Sequence, residues 1–413
     1  MLKINNSCRM CRGQNLHKFL DLGTQPLANS FLKKENLLKP ESKVPLEAYW
    51  CADCNLAQLV HVVDPKVMFC DYIYFSSGMP KVSAHWQTYA NYVQERFLRS
   101  PKQFVLEIGS NDGILLSCFK NFGHKVLGID PAENIAKLAN ERGIETWPIS
   151  WREKAGEWVI DKYGRARVIL ANNVFAHIDN HRDFMNGVDW ALAEDGVLVI
   201  EAPYLIDMFE NLAYDTIYHE HLSFLSVRPM QSFFQKFGFE IFDVHLVKVQ
   251  GTSLRVFVGR KDVHQILPSV FERISEELTF GLDKKESYFE LARRVVASKE
   301  KLLNILHGFK IQGKKISAYG APAKGNTLLN YCSIGADILD FTLEDLPSKK
   351  GLYTPGMRIP VVSREYANAN PPDYYLLLAW NYKDAILEKE KNSEFKNRGG
   401  KFIVPIGDEI ELI

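Results

Sequence analysis

Two Cys-x2-Cys pairs near the N-terminus have the residue types and the spacing of a metal site. Cys8 and Cys11 form the first pair, and Cys51 and Cys54 form the second. Each short turn aims two thiolates at one point, and two such turns complete the tetrahedral coordination of zinc. Because four sulfur ligands leave no open position, the pattern predicts a structural zinc ion rather than a catalytic one. The alternative is four unrelated buried cysteines.

An acidic loop that contains glycine follows the first apolar run of the central part of the chain. It comprises Glu107, Ile108, Gly109, Ser110, Asn111, Asp112 and Gly113. The loop lacks the G-x-G-x-x-G fingerprint and the Lys-Ser/Thr pair of phosphate-binding loops. Its carboxylates disfavour a pyrophosphate and suit a cation that carries amines. Asp130 ends the next apolar run, where an acidic side chain can hold ribose hydroxyls.

A Tyr-His-Glu-His run at residues 218–221 carries groups suited to proton transfer. If the run is extended, His219 and His221 share one face and Glu220 points away. Because neutral histidine titrates near the working pH, the run favours acid–base chemistry. A metal site is the second interpretation, although the H-E-x-x-H pattern of zinc hydrolases is absent. A structural hydrogen-bonded cluster is the third.

A third candidate site lies at residues 321–327, which read Ala-Pro-Ala-Lys-Gly-Asn-Thr. A strand is predicted at 314–320, and a helix is predicted to open after the turn. A turn that contains glycine at a helix N-terminus is a ready anion site, and its form suits a diphosphate. A plain strand–helix turn with one exposed lysine is the alternative. The candidate substrate-binding residues are Asn173, Tyr319, Lys324, Gly325, Asn326 and Thr327.

The elements that must position these residues alternate between strand and helix. Strands are predicted at 104–110, 125–131, 143–147, 167–173 and 197–203, with an antiparallel pair at 238–247 and 251–260. A helix is predicted over 181–196, with Gly196 as its C-cap. This alternation predicts a doubly wound parallel sheet, whose ligands bind beyond the carboxyl ends of the strands. A long helix over 284–308 precedes a second, smaller α/β domain at 310–413.

Composition excludes several classes of protein. The chain has 413 residues, enough for two or three domains, with 50 basic and 50 acidic residues. A net charge of +0 excludes nucleic-acid binding driven by global charge and gives no electrostatic reason to bind an anionic membrane. The sequence contains no apolar run of about 18 residues and no apolar leader, so a cytoplasmic protein is expected. A monomer is the default expectation because no coiled-coil pattern is present.

The motifs V-L-E-I-G-S-N-D-G and G-I-D-P resemble the first two motifs of class I S-adenosylmethionine (AdoMet) methyltransferases. A nicotinamide-binding domain is the alternative, disfavoured by the missing phosphate fingerprint. The resemblance implies AdoMet binding at the residues that close the first, second and fourth strands. These candidates are Glu107, Gly109, Asn111, Asp112, Asp130 and Asn172.

The order of all motifs resembles the nucleotide-sugar C-methyltransferases, as in tetronitrose and novobiocin sugar biosynthesis, over essentially the whole chain. The resemblance implies an α/β chain with an N-terminal zinc-binding lobe, a class I methyltransferase sheet and a C-terminal Rossmann-like α/β domain that holds the nucleotide. The expected divisions are a zinc-binding lobe at 1–75, an AdoMet domain at 76–262 with a catalytic insertion at 204–228, a helical connection at 263–309, and the nucleotide-sugar domain at 310–413.

The resemblance also implies the substrate and the roles of individual residues. The expected partner is a dTDP- or GDP-linked 4-keto-6-deoxy sugar, methylated at C3 through an enolate. The catalytic candidates are Tyr218, Glu220, His221, His177 and Tyr72, with Tyr74 as the alternative to Tyr72. His221 is the expected base, Tyr218 or His177 the donor to the enolate oxygen, and Glu220 the group that orients the histidine or binds a sugar hydroxyl. A methyltransferase acting on a sugar oxygen or nitrogen and a non-enzymatic binding protein remain as rival functions.

Overall fold

The N-terminal part of the chain folds into short antiparallel sheets. The computed structural model describes residues 2–69, 80–248 and 251–413, so the predicted Tyr72 and Tyr74 lie outside the described residues. The first elements are β1 (Leu2–Ile4), β2 (Leu16–Pro26), β3 (Lys43–Cys51), β4 (Ala57–Leu59), β5 (His61–Val63) and α1 (Pro65–Phe69). Strands β2, β3 and β4 pair antiparallel, and β1 pairs with β5.

The middle of the chain forms the predicted parallel sheet with a terminal antiparallel hairpin. Its strands are β6 (Phe104–Ile108), β7 (Lys125–Ile129), β8 (Thr146–Trp147), β9 (Ala166–Asn172), β10 (Leu192–Pro203), β12 (Phe239–Lys248) and β13 (Thr252–Arg260). The order across the sheet is β12-β13-β10-β9-β6-β7-β8. The helices are α2 (Pro80–Phe97), α3 (Ile114–Asn121), α4 (Glu133–Glu141), α5 (Glu153–Tyr163) and α6 (His181–Ala191). The parallel order and the antiparallel hairpin confirm the prediction.

Each central strand is buried on both faces, which explains its continuous apolar sequence. Leu106 and Ile169 pack in the core on one face, and Val105 and Val168 pack in the core on the other. The predicted helix over 181–196 is wrong at its end. Helix α6 stops at Ala191, and Leu192 already pairs with β9, so Gly196 lies at an irregularity within β10.

The insertion after β10 connects the sheet to the N-terminal lobe. It contains α7 (Leu205–Glu210), a 3-10 turn at Tyr214–Thr216, β11 (Ser223–Phe224) and α8 (Val227–Gln235). Strand β11 pairs antiparallel with β4, so the lobe's sheet has the order β11-β4-β3-β2. A strand of the candidate catalytic insertion is thus part of the sheet of the cysteine-bearing lobe.

The C-terminal part begins with α9 (Pro268–Phe280) and the long α10 (Lys285–Ile311) and ends in a second α/β sheet. Its elements are β14 (Ile316–Tyr319), α11 (Ala323–Cys332), β15 (Thr342–Leu343), β16 (Val361–Val362), α12 (Arg364–Ala369), β17 (Tyr374–Leu377), α13 (Lys383–Glu390), α14 (Glu394–Asn397), β18 (Lys401–Val404) and β19 (Glu411–Leu412). The sheet order is β16-β15-β14-β17-β18-β19, with β19 antiparallel. Among the described residues, no helix combines the length and apolar character needed to cross a membrane.

Candidate functional site

The four predicted zinc ligands meet in space. The Sγ atoms of Cys8 and Cys54 lie 3.6 Å apart, as do those of Cys11 and Cys51. All four sulfurs lie within 4.8 Å of one another. A tetrahedral zinc with Zn–S bonds of about 2.3 Å needs sulfurs about 3.8 Å apart, so the cluster fits the ion. Within the described residues, the Tyr-His-Glu-His run forms no such cluster, which disfavours its interpretation as a metal site.

The acidic loop bends back over the carboxyl ends of β6 and β7. Gly109 has a φ of +67°, and a Cβ on it would lie 2.2 Å from the Val174 side chain, so only glycine fits. Asp130 accepts hydrogen bonds from the backbone N–H groups of Asn111 at 2.9 Å and Ala132 at 3.0 Å. Asp130 therefore holds the loop in place as well as lying at the predicted ribose position.

Glu107 provides the best test of whether AdoMet fits this loop. Its carboxylate is 4% exposed, and Oε1 accepts a bond of 3.3 Å from the Asn172 amide, whose oxygen accepts one of 3.0 Å from Tyr89. Oε2 is buried with no hydrogen-bond partner among the described residues. Burial raises the pKa of Glu107 well above its usual value. A buried, unsatisfied carboxylate suits a ligand with an amino group, which AdoMet has.

The other residues predicted at the carboxyl ends of the parallel strands differ in their surroundings. Asp112 forms an ion pair with Arg142, with 2.8 Å between Oδ2 and the guanidinium nitrogen. Asn173 adopts a φ of +53°, and its N–H donates to the Glu201 carbonyl. Asn173 also lines the cleft described below, whereas Asp112 is engaged by the protein itself.

The sequence analysis missed a buried polar network next to the carboxyl ends of these strands. Arg255 donates to Glu201 at 2.7 Å and lies 3.6 Å from the ring centroid of Tyr89, and His85 lies 3.4 Å from Glu201. Through Tyr89 the network reaches Asn172. The signal was present, since Glu201 is an acidic residue at the carboxyl end of the apolar strand β10. The partnership with Arg255 depends on the register of β10 against β13.

Two histidines from separate segments face each other in a cleft beyond the strand ends. The rings of His177 and His221 have centroids 5.0 Å apart and are nearly perpendicular, and the Tyr218 ring lies 4.0 Å from that of His221. The cleft is narrow. Its lining is formed by Asn173, Ala176, His177, Pro203, Tyr204, Leu205, Met208, Thr216, His221, Ser223 and Phe224.

The hydrogen bond of His221 defines its chemistry. Nδ1 lies 2.7 Å from the carbonyl oxygen of Thr216, so it carries the proton, and Nε2 carries the lone pair in the neutral ring. Burial lowers the pKa of His221 to about 4. Burial and the nearby His221 lower the pKa of His177 to about 3. Both rings are therefore neutral at neutral pH.

The Tyr-His-Glu-His run does not adopt the extended form in which His219 and His221 would share one face. The run is a turn, closed by a bond from the His221 N–H to the Tyr218 carbonyl, and not extended. His219 lies 3.1 Å from the Val44 carbonyl, away from His221. Glu220 accepts a bond of 2.6 Å from Asn29. The carbonyl of Thr216, rather than Glu220, therefore orients His221, and Glu220 faces the N-terminal lobe.

The predicted anion site in the C-terminal domain places Lys324 over an aromatic ring whose indole binds a buried carboxylate. The Lys324 ammonium lies 3.7 Å from the Trp380 ring centroid, and the Trp380 indole donates to Asp215 at 2.7 Å. Burial lowers the pKa of Lys324 to about 8, and Asp215 opposes this shift. Because Asp215 precedes Thr216, the bond from Trp380 to Asp215 joins the C-terminal domain to the turn that orients His221.

The remaining candidates of the C-terminal domain lie in or beside helix α11. The predicted turn over 321–327 is shorter than expected, because α11 begins at Ala323 and includes Gly325, Asn326 and Thr327. Gly325 packs against Leu378, and Asn326 donates to the Ala28 carbonyl at 2.7 Å. Tyr319 donates to Glu390 and accepts from Arg364.

Comparison with known protein families covers nearly all of the chain. Residues 8–69 match a family described as "Putative zinc binding domain", and residues 85–244 match one described as "Methyltransferase domain". Residues 248–407 match a family described as "C-methyltransferase C-terminal domain".

A curated protein and solved structures are also similar to the chain. The C-methyltransferase NovU of Streptomyces niveus is 37% identical over 402 residues, which cover 97% of this chain and 95% of NovU. The plantazolicin methyltransferase BpumL with bound SAH is 14% identical, has a TM-score of 0.35, and covers 43% of this chain and 82% of its own. The magnesium protoporphyrin IX methyltransferase of Synechocystis PCC 6803 is 13% identical, has a TM-score of 0.33, and covers 44% and 82%.

Proposed function

The chain belongs to the family of AdoMet-dependent C-methyltransferases with an N-terminal zinc-binding domain, and on this basis we propose that it methylates C3 of a nucleoside-diphosphate-linked 4-keto-6-deoxy sugar. The observation that carries the proposal is the pair of neutral histidines in the cleft next to the AdoMet loop. A sugar carbon becomes a nucleophile only beside a carbonyl group, so the reaction needs a positioned base and a donor to the carbonyl oxygen.

His221 is the base in this proposal. Its Nδ1 proton is held by Thr216, so Nε2 is free to remove the C3 proton, and the C–H electron pair moves onto the C4 oxygen to form the enolate. When bound, AdoMet supplies the electrophilic methyl group that this carbon takes, leaving S-adenosylhomocysteine. His221 then returns its proton to solvent. Its low pKa keeps the base unprotonated at neutral pH.

Tyr218 and His177 are the candidate donors to the enolate oxygen. Both rings lie within 5.0 Å of the His221 ring, measured between centroids. Preorganised donors stabilise charge that develops in the transition state, and removing one typically costs about 10²–10³ in kcat. Glu220 lies at the edge of the same turn and is proposed to bind a sugar hydroxyl rather than to orient the base.

We propose that the nucleoside diphosphate binds at the N-terminal end of α11. The Lys324 ammonium lies over the Trp380 ring, whose indole donates to Asp215, at the face between the middle and C-terminal domains. Replacing Lys324 should therefore raise the KM for the nucleotide sugar and leave AdoMet affinity unchanged. The control is Lys310→Met on α10, in the same domain region.

Proton abstraction can be measured without methyl transfer. In D2O with S-adenosylhomocysteine, the wild type should exchange the hydrogen alpha to the C4 ketone for deuterium. His221→Asn should lose both exchange and methylation while still binding both ligands, because only the transition state is affected. His307→Asn, which replaces an exposed histidine on α10, is the matched control. Equal methylation of a 4-hydroxy sugar would instead favour transfer to a sugar oxygen.

A further inference from the structure

Arg9 lies within the first zinc knuckle, between Cys8 and Cys11, and points away from the sulfur cluster. Its side chain is fully buried. One terminal guanidinium nitrogen donates to the carbonyl oxygen of Leu222 and lies 3.4 Å from the Gln58 amide oxygen, which also accepts from the Arg9 backbone N–H at 3.1 Å. Nothing in zinc coordination requires an arginine at this position, so its burial needs another explanation.

Leu222 directly follows His221, and its peptide groups form hydrogen bonds with the segment that carries His177 and with strand β4. Its N–H donates to the Ala176 carbonyl at 2.9 Å, and its carbonyl also accepts from the Leu59 N–H at 3.0 Å. Ala176 directly precedes His177. The backbone beside one histidine of the cleft is therefore bonded to the backbone beside the other.

Arg9 also reaches the segment that carries His177. Its second terminal nitrogen lies 3.7 Å from Oδ1 of Asp179, two residues after His177. Asp179 is further held by Asn5 and Lys3, each at 2.6 Å. The buried guanidinium of Arg9 thus contacts both the segment that carries His177 and the segment that carries His221. The centroids of these two rings lie 5.0 Å apart.

We propose that Arg9 is a positioning residue for the His177–His221 pair, through which the zinc knuckle sets the place of the base. This inference rests on the proposed role of His221. The guanidinium acts through the Leu222 carbonyl and the Asp179 carboxylate and touches no reacting atom. Its planar fork places one nitrogen on the Leu222 carbonyl while the other lies 3.7 Å from the Asp179 carboxylate, a geometry that a lysine ammonium cannot reproduce.

The test compares Arg9→Met and Arg9→Lys with Arg12→Met, which replaces an exposed arginine next to the same knuckle. Each protein is first assayed for zinc content and AdoMet affinity, and both should remain near wild type. Because a misplacement of about 1 Å can cost about 10²-fold, we expect Arg9→Met to lower kcat and the rate of alpha-hydrogen exchange by about 10²-fold. Arg9→Lys should be intermediate, and Arg12→Met unchanged.

A second readout does not depend on turnover. Nitrogen-15 NMR of histidine-labelled protein reports which ring nitrogen of His221 carries the proton. Arg9→Met should shift His221 from the Nδ1–H form toward a mixture, because the backbone beside His221 is loosened and its ring moves relative to the Thr216 carbonyl. If the role of Arg9 were purely structural, Arg9→Met would lower the melting temperature without changing the tautomer of His221.

The outcomes separate this inference from the proposed function. Zinc-loaded Arg9→Met with wild-type kcat, exchange and tautomer overturns the role of Arg9. If Arg9→Met does not fold, a zinc-loaded Arg9→Lys with wild-type values overturns it equally. If His221→Asn retains exchange, the base has been misassigned, and that result is obtained independently of any Arg9 variant.

Discussion

At the scale of single residues, burial shifts the pKa values of the histidines and of Glu220 in opposite directions. It lowers the pKa values of His177 and His221 to about 3 and about 4, and it raises the pKa of Glu220 to about 7. A buried site disfavours every charged form, so bases become harder to protonate and acids harder to ionise. The consequence is a cleft whose two histidines are neutral at neutral pH.

The raised pKa of Glu220 makes a prediction about stability. The native state holds this proton up to about pH 7, against a usual carboxyl value of 4.5, so the stabilising contribution is fully present below about pH 4.5 and is lost as the pH rises through about 7. We therefore expect Glu220→Gln to gain stability relative to wild type between about pH 5 and about pH 8, on the order of 3 kcal/mol. Unfolding curves at both pH values measure this, with the exposed Glu35→Gln as control. If the difference in unfolding free energy between Glu220→Gln and wild type is the same at both pH values, the raised pKa of Glu220 is contradicted.

Asp130 makes the second residue-scale prediction. Asp130→Ala removes two acceptor bonds that hold the AdoMet loop, along with the predicted acceptor for the ribose hydroxyls. Because hydrogen bonds to a charged group contribute about 1.5–3 kcal/mol, AdoMet affinity should fall at least about tenfold. Calorimetry measures the affinity, and Asp161→Ala on the exposed side of α5 is the control. Unchanged binding would remove Asp130 from the site.

At the scale of elements, a carboxylate from one helix caps another. Glu277 on α9 is 1% exposed, and its two oxygens accept from the backbone N–H groups of Val227 at 2.6 Å and Arg228 at 3.0 Å. These are the first N–H groups of α8, whose own N-cap residue, Ser226, makes no side-chain bond. Helix α8 is thus anchored at its N-terminus by a side chain of another helix, because Ser226 makes no side-chain cap bond of its own.

Glu277→Gln should therefore destabilise α8 specifically. One acceptor oxygen is replaced by an amide donor that faces an N–H group, and leaving such a group unsatisfied costs about 1–3 kcal/mol. Hydrogen exchange of the Val227 and Arg228 amides should accelerate, while exchange in β6 and β9 stays as in wild type. Glu272→Gln on the exposed side of α9 is the control, and equal protection in both variants would refute the capping role.

At the scale of the whole molecule, three parts of the chain meet at the turn that carries His221. The N-terminal lobe contributes Asn29 and Arg9, and the C-terminal domain contributes Trp380. The position of His221 is therefore a property of the assembled chain. A zinc site far in sequence from His221 becomes part of its support, because β11 belongs to the lobe's sheet.

The zinc site makes the corresponding prediction. Cys51→Ser should lose the metal, lower the melting temperature and lower methyl transfer, and it should affect AdoMet affinity much less, because the AdoMet loop lies on the central sheet. Cys118→Ala, at a buried cysteine outside the cluster, should keep one zinc per chain. Metal analysis, melting curves and AdoMet calorimetry distinguish the two variants. Soluble, active protein without zinc would contradict a structural role.

Local pattern was enough to predict the sheet, the cysteine cluster and the place of the acidic loop after β6. Apolar runs mark strands that are buried on both faces, and a short Cys-x2-Cys turn brings its ligands together within itself, so neither depends on distant contacts. The helix that was expected to end at Gly196 shows where local pattern fails, because pairing of Leu192 with β9 ends it earlier.

The arrangement of the catalytic groups was decided only by the tertiary structure. Glu220 was a candidate to orient His221, yet the Thr216 carbonyl does so, and Glu220 turns to Asn29. The Glu201–Arg255 pair and the contacts of Arg9 likewise join residues far apart in the chain. Side-chain types indicate what chemistry is available. Which residues more than fifty positions apart become partners depends on strand register and domain packing, and local spacing in the sequence does not encode these.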